Sequence, residues 1–297
     1  MTRGDQHQNH HVRLSPHFHL RVPLMIVLIL LAYALLAAQP IAAARKITVT
    51  FSSFPLPSSS DAHAITRGPD GALWFTENGS NQIGRITTSG AITEYALPSS
   101  SSEPVAITTG PDGALWFTEE SGNQIGRITT SGAITEYRVG SSTTYLSLYD
   151  ITAGPDGALW FTELAQRAIG RITTSGVITT YTYPVTNGEP DAITTGPDGA
   201  LWFVDVYNPK IGRVTTSGMF TVFTLPNGAL DLTTGPDGAI WFTTPAKLGR
   251  ITISGSVLEF AIPLQYFDAS YITTGPDNAL WVTGYTDNRI VRAMPSE

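Results

Sequence analysis

From about residue 47 to its end, the chain is a succession of short alternating apolar and polar runs, broken by glycine, proline and Asp-Gly pairs. Alternation with period two marks half-buried β-strands, and no stretch here holds a 3.6-residue period long enough for a helical or leucine-rich repeat. The heptapeptide Gly-Pro-Asp-Gly-Ala-Leu-Trp begins at Gly68, Gly110, Gly154 and Gly196, with variants at Gly235 and Gly275. The six tryptophans that end these segments (Trp74, Trp116, Trp160, Trp202, Trp241, Trp281) are spaced by 42, 44, 42, 39 and 40 residues.

The second unit shows what one repeat predicts. Residues 106–110 form a first strand, and Pro111-Asp112-Gly113 a tight turn, because Asp and Gly tolerate positive φ. Residues 115–118 form a second strand, 120–123 a polar loop, 125–129 a third strand, and Ser131-Gly132 turns the chain into a fourth at 133–137. Four antiparallel strands in some forty residues is the pattern of a propeller blade. The sixth unit stops after its third strand, at 290–293, while residues 47–54 with Pro55-Leu56-Pro57 repeat the fourth-strand pattern of 92–98 and 220–226. The expectation is an all-β, six-bladed β-propeller of four-stranded antiparallel blades. The N-terminal strand closes the last blade and removes two exposed sheet edges.

Residues 1–44 stand apart. Arg3, Arg13 and Arg21 and five of the six histidines precede an apolar run at 22–38, and the segment ends in Ala42-Ala43-Ala44. A positive head, an apolar middle and a small-residue end match a secretory signal, with an uncleaved membrane anchor as the alternative. The propeller is then residues 45–297, secreted or extracytoplasmic. This part carries 14 Lys+Arg against 23 Asp+Glu, an acidic balance that repels phosphate backbones and excludes nucleic acid as a partner. With no cysteine, disulfides, thiolate metal sites and a cysteine nucleophile are excluded.

In a repeat, scaffold positions recur and function lies where copies differ. The aromatic set reads as inter-blade core, and the arginine column (Arg85, Arg127, Arg171, Arg213, Arg250, Arg292) as ties between strands. Two residues before the apolar anchor of each first strand stand His63, Val105, Tyr149, Asp191, Leu230 and Ser270; two earlier stand Asp61, Glu103, Ser147, Glu189, Gly228 and Asp268. These segments lead from one blade's outer strand to the next blade's inner strand, so they ring one mouth of the central channel. Tyr149, Glu189, Asp191 and Ser270 are candidates for holding a ligand there. His63, the one mature histidine, and Glu103 are candidates for proton transfer. A further uneven column, three after each tryptophan, reads Glu77, Glu119, Glu163, Asp205, Thr244 and Gly284. Solvated strand ends are the plain expectation for these acids; the alternative is a divalent-cation site.

The units W-F-T-E-x-x-x-N-Q-I-G-R-I-T and I-T-E-Y-x-L-P, with E-P-x-x-I-T before first strands, resemble the virginiamycin B (streptogramin B) lyase family over residues 47–297. The segment Asn288-Arg289-Ile290-Val291-Arg292 is similar to NHL repeats. The resemblance implies a seven-bladed propeller that opens a cyclic depsipeptide at its ester by elimination, with magnesium polarising the ester and mouth histidines in P-H-x-I contexts moving the proton. Here valine and aspartate fill that position, in Glu103-Pro104-Val105 and Glu189-Pro190-Asp191, and His63 alone matches it. The expected function is therefore capture of a small molecule or peptide at the mouth by a monomer. The alternatives are an active magnesium-dependent lyase and a metal-dependent lactonase.

Overall fold

A computed structural model of the chain describes residues 53–56, 61–141, 144–264, 267–284 and 289–295. The described strands fall within one compact unit, residues 54–297. The expected leader at 1–44 and the closing strand at 47–52 lie outside the described residues. The fold is a six-bladed β-propeller, with blades at 62–96, 104–138, 148–182, 190–224, 232–261 and 269–293. In blade 2, Pro104–Thr109, Leu115–Glu119, Gln124–Ile128 and Ile134–Arg138 pair in that order, each antiparallel to the next. Blades 1 and 3 to 5 repeat this order; blade 6 shows three strands among the described residues.

The repeated heptapeptide builds one clamp per blade. In blade 2 the Asp112 carboxylate accepts from the Trp116 indole N–H at 3.0 Å with one oxygen and from Arg127 Nε at 2.7 Å with the other. The Asp–Arg half of this clamp recurs in all six blades. The arginine column is thus committed to strand–turn ties. In blades 1 to 5 the tryptophan also stacks on an aromatic of its own fourth strand, as Trp116 does on Tyr137 at 5.5 Å. Gly126 is required for a different reason: any side chain there would run into the Phe117 ring of the neighbouring strand.

Five apolar clusters hold the ring, and each fills the seam between two successive blades. Trp74 of blade 1 packs with Ile107, Leu115 and Phe117 of blade 2, and the arrangement repeats through to Trp241 of blade 5 with Ile272, Leu280 and Val282 of blade 6. Among the described residues no such cluster joins blade 6 to blade 1. Ile65 of blade 1 is 62% exposed, whereas its counterpart Ile107 is 7% exposed; Leu73 is 39% exposed, against 0% for Leu115. Phe54 nevertheless covers Gly90 of blade 1 just as Tyr95, in the fourth strand of blade 1, covers Gly132 of blade 2. Phe54 therefore occupies the fourth-strand aromatic position of the blade that precedes blade 1 in the ring, which is blade 6.

Candidate functional site at the channel mouth

In five of the six blades the first strand carries a register shift near the channel, as between Pro104 and Ile107 or Ala269 and Ile272; the short first strand of blade 5 pairs without one. The threonine two after the tryptophan, present in every blade except the fourth, where it is Val204, bonds the backbone at this point. Thr118 Oγ1 accepts from Ala106 N at 3.0 Å and donates to the carbonyl of Tyr149, in the next blade, at 2.9 Å. Thr76 holds the Val105 carbonyl and Thr243 that of Ser270 in the same way. A scaffold residue of one blade thus fixes the backbone of a variable mouth residue in the next.

The mouth is a cavity of about 620 Å³ to which all six blades contribute, among them His63, Val105, Tyr149, Asp150, Asp191, Leu230, Asp231, Ser270 and Tyr271. Four of the six residues proposed from sequence, His63, Tyr149, Asp191 and Ser270, meet here. Glu103 and Glu189 lie outside this lining. Glu103 sits at a left-handed φ of 54°, is exposed, and accepts a hydrogen bond from Ser121. The backbone N–H of Glu189 donates to Asp205 at 3.1 Å, and its carboxylate is felt at Asp191 as a like charge. Expected as a proton-transfer partner of His63, Glu103 is instead engaged on the outer loop.

Asp150, Asp231 and Tyr271, one position beyond the uneven column, complete the mouth. Asp150 accepts from its own strand at Ile151 N and from blade 4 at Ile193 N, both at 2.8 Å. Asp231 does the same with Leu232 N and, in blade 6, Ile272 N at 2.7 Å. These two carboxyls staple adjacent blades while facing the channel. Burial raises Asp150 to about 7, and the Asp231 and Asp191 charges add to the rise against the two backbone N–H groups. Asp231 rises to about 6, again through burial. Asp191 rises to about 7 through burial, then the Asp231 and Glu189 charges, and accepts no hydrogen bond among the described residues. Burial and the same carboxylates also push the Tyr149 and Tyr271 hydroxyls upward.

The acids three after each tryptophan are buried, not the solvated strand ends expected from sequence: Glu77 and Glu119 are 0% exposed and Glu163 is 3%. Three of the four accept hydrogen bonds inside their own blades. Glu77 accepts from Ser80 and Glu163 from Thr180, both at 3.0 Å, and Asp205 from Asn208. Neither oxygen of Glu119 has a hydrogen bond of good geometry, and burial raises it to about 7 against the pull of the Ser102 hydroxyl, with the Glu136 charge adding to the rise. Among the described residues no three His, Asp or Glu side chains are arranged to hold a metal ion. Glu136, beside Glu119, is already engaged by Ser99 and Gln124.

The fold and mouth can now be set against known proteins. A crystal structure of virginiamycin B lyase from Staphylococcus aureus is 41% identical, with a TM-score of 0.77 over 82% of this chain and 84% of that one. A streptogramin B lyase structure is 37% identical, with a TM-score of 0.74 over 78% of this chain and 80% of that one. A catalytically inactive histidine-to-alanine variant of the S. aureus enzyme, with quinupristin, is 38% identical, with a TM-score of 0.75 over 82% and 87%. The model of the virginiamycin B lyase family matches residues 33–231 and 227–296, so with this repeat, this clamp and these structural relatives the chain belongs to the virginiamycin B lyase family.

Proposed function

We propose that this propeller captures a small molecule or peptide loop at its channel mouth and does not open an ester ring. The observation that carries this reading is the composition of the cavity wall: six blades each supply a different side chain, and His63 is the one histidine among them. Elimination needs a base at the departing proton and a stabiliser for the developing charge on the ester. Val105 and Asp191 stand where the resemblance expects histidines, and neither replaces an imidazole in proton transfer near neutral pH while also serving as a cationic stabiliser. Binding asks less: an enclosed volume of several hundred Å³, apolar walls and a few convergent polar groups, and Val105, Leu230, Tyr149, Asp191 and Ser270 supply these.

The test is to titrate purified protein with quinupristin by calorimetry and follow ring opening by reversed-phase chromatography. Saturable binding that is lost in Asp191→Ala, with no opened product, is the expected outcome. Opening that persists in the parent and vanishes in His63→Ala would establish the lyase reading instead.

A further inference from the structure

We propose that blade 2 binds a calcium ion between Glu119 on its second strand and Glu136 on its fourth, with the Gln124 amide and the Ser102 hydroxyl supplying neutral oxygens. The site is separate from the mouth and does not depend on what the mouth binds.

The blades differ in how they satisfy the acid that ends the second strand. In blades 1 and 4 the residue three positions later does so: Ser80 donates to Glu77 at 3.0 Å, and Asn208 to Asp205 at 3.1 Å. Blade 3 uses Thr180 of its fourth strand on Glu163. Blade 2 has Gly122 where blades 1 and 4 have Ser80 and Asn208, and Glu136 where blade 3 has Thr180, so both donors are replaced. Glu119 is 0% exposed, yet neither of its oxygens has a hydrogen bond of good geometry. The Ser102 hydroxyl, also buried, pulls on it while donating to the Ser99 carbonyl at 3.2 Å. A carboxylate buried in this way carries a desolvation cost that a bound cation offsets.

Blade 5 shows what kind of group fits there. It pairs Thr244 with Lys247 and Gly249 with Glu259, as blade 2 pairs Glu119 with Gln124 and Gly126 with Glu136. The Lys247 ammonium holds Glu259 at 2.6 Å, one cation for one carboxylate. Blade 2 sets two carboxylates on these positions and no ammonium; Arg138, next along, is exposed and donates to the Gly122 carbonyl at 3.2 Å. The point where a side chain on Gly122 would begin lies 3.1 Å from Gln124 Oε1 and 3.2 Å from Glu119 Oε2, so two acceptors converge on a space that glycine leaves open. Glu136 Oε1 accepts from Ser99 N at 3.1 Å and keeps a second lone pair. Two carboxylates match a divalent charge. Carboxylate, amide and hydroxyl oxygens are hard donors, which calcium accepts in irregular arrangements and magnesium in a near-ideal octahedron. Gln124 and Glu136 are half-buried, which leaves a way in from solvent.

The experiment strips purified protein of metal with EDTA and titrates it with calcium chloride by calorimetry at pH 8, with thermal melts in EDTA and in calcium. One site per chain is expected, and calcium at roughly a hundred times its Kd should raise the melting midpoint by about 5–10 °C. Magnesium should bind at least tenfold more weakly. Gln124→Lys supplies the ammonium that blades 4 and 5 carry at this position, and Glu119→Gln removes the buried charge. Both should abolish the calcium rise, and in EDTA both should melt at or above the parent. Asp191→Asn, at the mouth, should keep the full rise. Identical parent melts in calcium and EDTA would overturn the proposal, as would a rise that persists in both blade 2 variants. A rise lost in Asp191→Asn and kept in Glu119→Gln would move the ion to the mouth and overturn it equally. Magnesium binding as tight as that of calcium would overturn the choice of ion.

Discussion

Replacing Glu119 by glutamine removes a charge that blade 2 buries with only the Ser102 hydroxyl to offset the burial. The carboxyl is 0% exposed and is raised from 4.5 to about 7, first by burial and then by Glu136. An acid whose pKa is higher in the folded state loses stability as pH rises. Below about 4.5 both states are protonated; between there and about 7 the unfolded chain ionises first, and above 7 the full cost is present. At about 1.36 kcal/mol per pH unit, that cost is roughly 3 kcal/mol at pH 8. Glutamine keeps the shape and can donate towards Glu136, so a net gain of about 1–2 kcal/mol is expected at pH 8, after ordering of the new amide, and close to none at pH 5. For a unit of this size that is a rise in melting midpoint of about 2–4 °C. Glu163→Gln is the internal control: Thr180 already donates to that carboxylate, so its gain should be smaller. Thermal melts of the parent and both variants at pH 5 and pH 8 decide the matter. A gain equal at the two pH values, or a loss at pH 8, would refute the reasoning.

The clamp, the seam and the leader yield further tests. Asp198→Ala strands the buried Trp202 indole N–H and frees Arg213, and should cost about 2–3 kcal/mol in urea denaturation. The clamp carboxylates, such as Asp112, are held below the ordinary value by Trp and Arg hydrogen bonds that outweigh burial. Their contribution is therefore full above about pH 4 and is lost as acid protonates them, which acid titration followed by far-UV dichroism should show as unfolding below that range. Ile65→Ser should change the melting midpoint by less than about 1 °C while Ile107→Ser, at the equivalent position between blades 1 and 2, should cost about 3 kcal/mol; equal costs would mean that Ile65 is buried in solution. N-terminal sequencing of protein recovered outside the cytoplasm should begin at Arg45 or a neighbour, and an intact Met1 on membranes would identify an anchor.

Blade number, strand order and the tryptophan core could be read from the chain because they rest on local signals repeated six times. An Asp-Gly turn, a period-two apolar run and a Trp-Phe pair each act over a few residues, so copies reinforce one another. The same locality brought His63, Tyr149, Asp191 and Ser270 out as a column of differences. It missed Asp150, Asp231 and Tyr271, one position further along. Strict alternation would turn those side chains away from a neighbour that faces the channel. In blade 3 the register shift before the strand's apolar anchor breaks that alternation, so Tyr149 and Asp150 both reach the cavity. Alternation likewise gave no sign that Glu119 and Glu163 are buried, because the second strands of blades 2 and 3 are covered on both faces, so their polar positions are buried with the apolar ones.

What only the tertiary structure decided is which side chains meet. His63, Val105, Tyr149, Asp191, Leu230 and Ser270 come from six separate repeats, and no single repeat encodes that they share one cavity. Asp150 and Asp231 join them while holding backbone N–H groups of the next blade in the ring. The chain by itself therefore determined what each blade is. The geometry of the whole determined which differences between the blades face one another at the mouth.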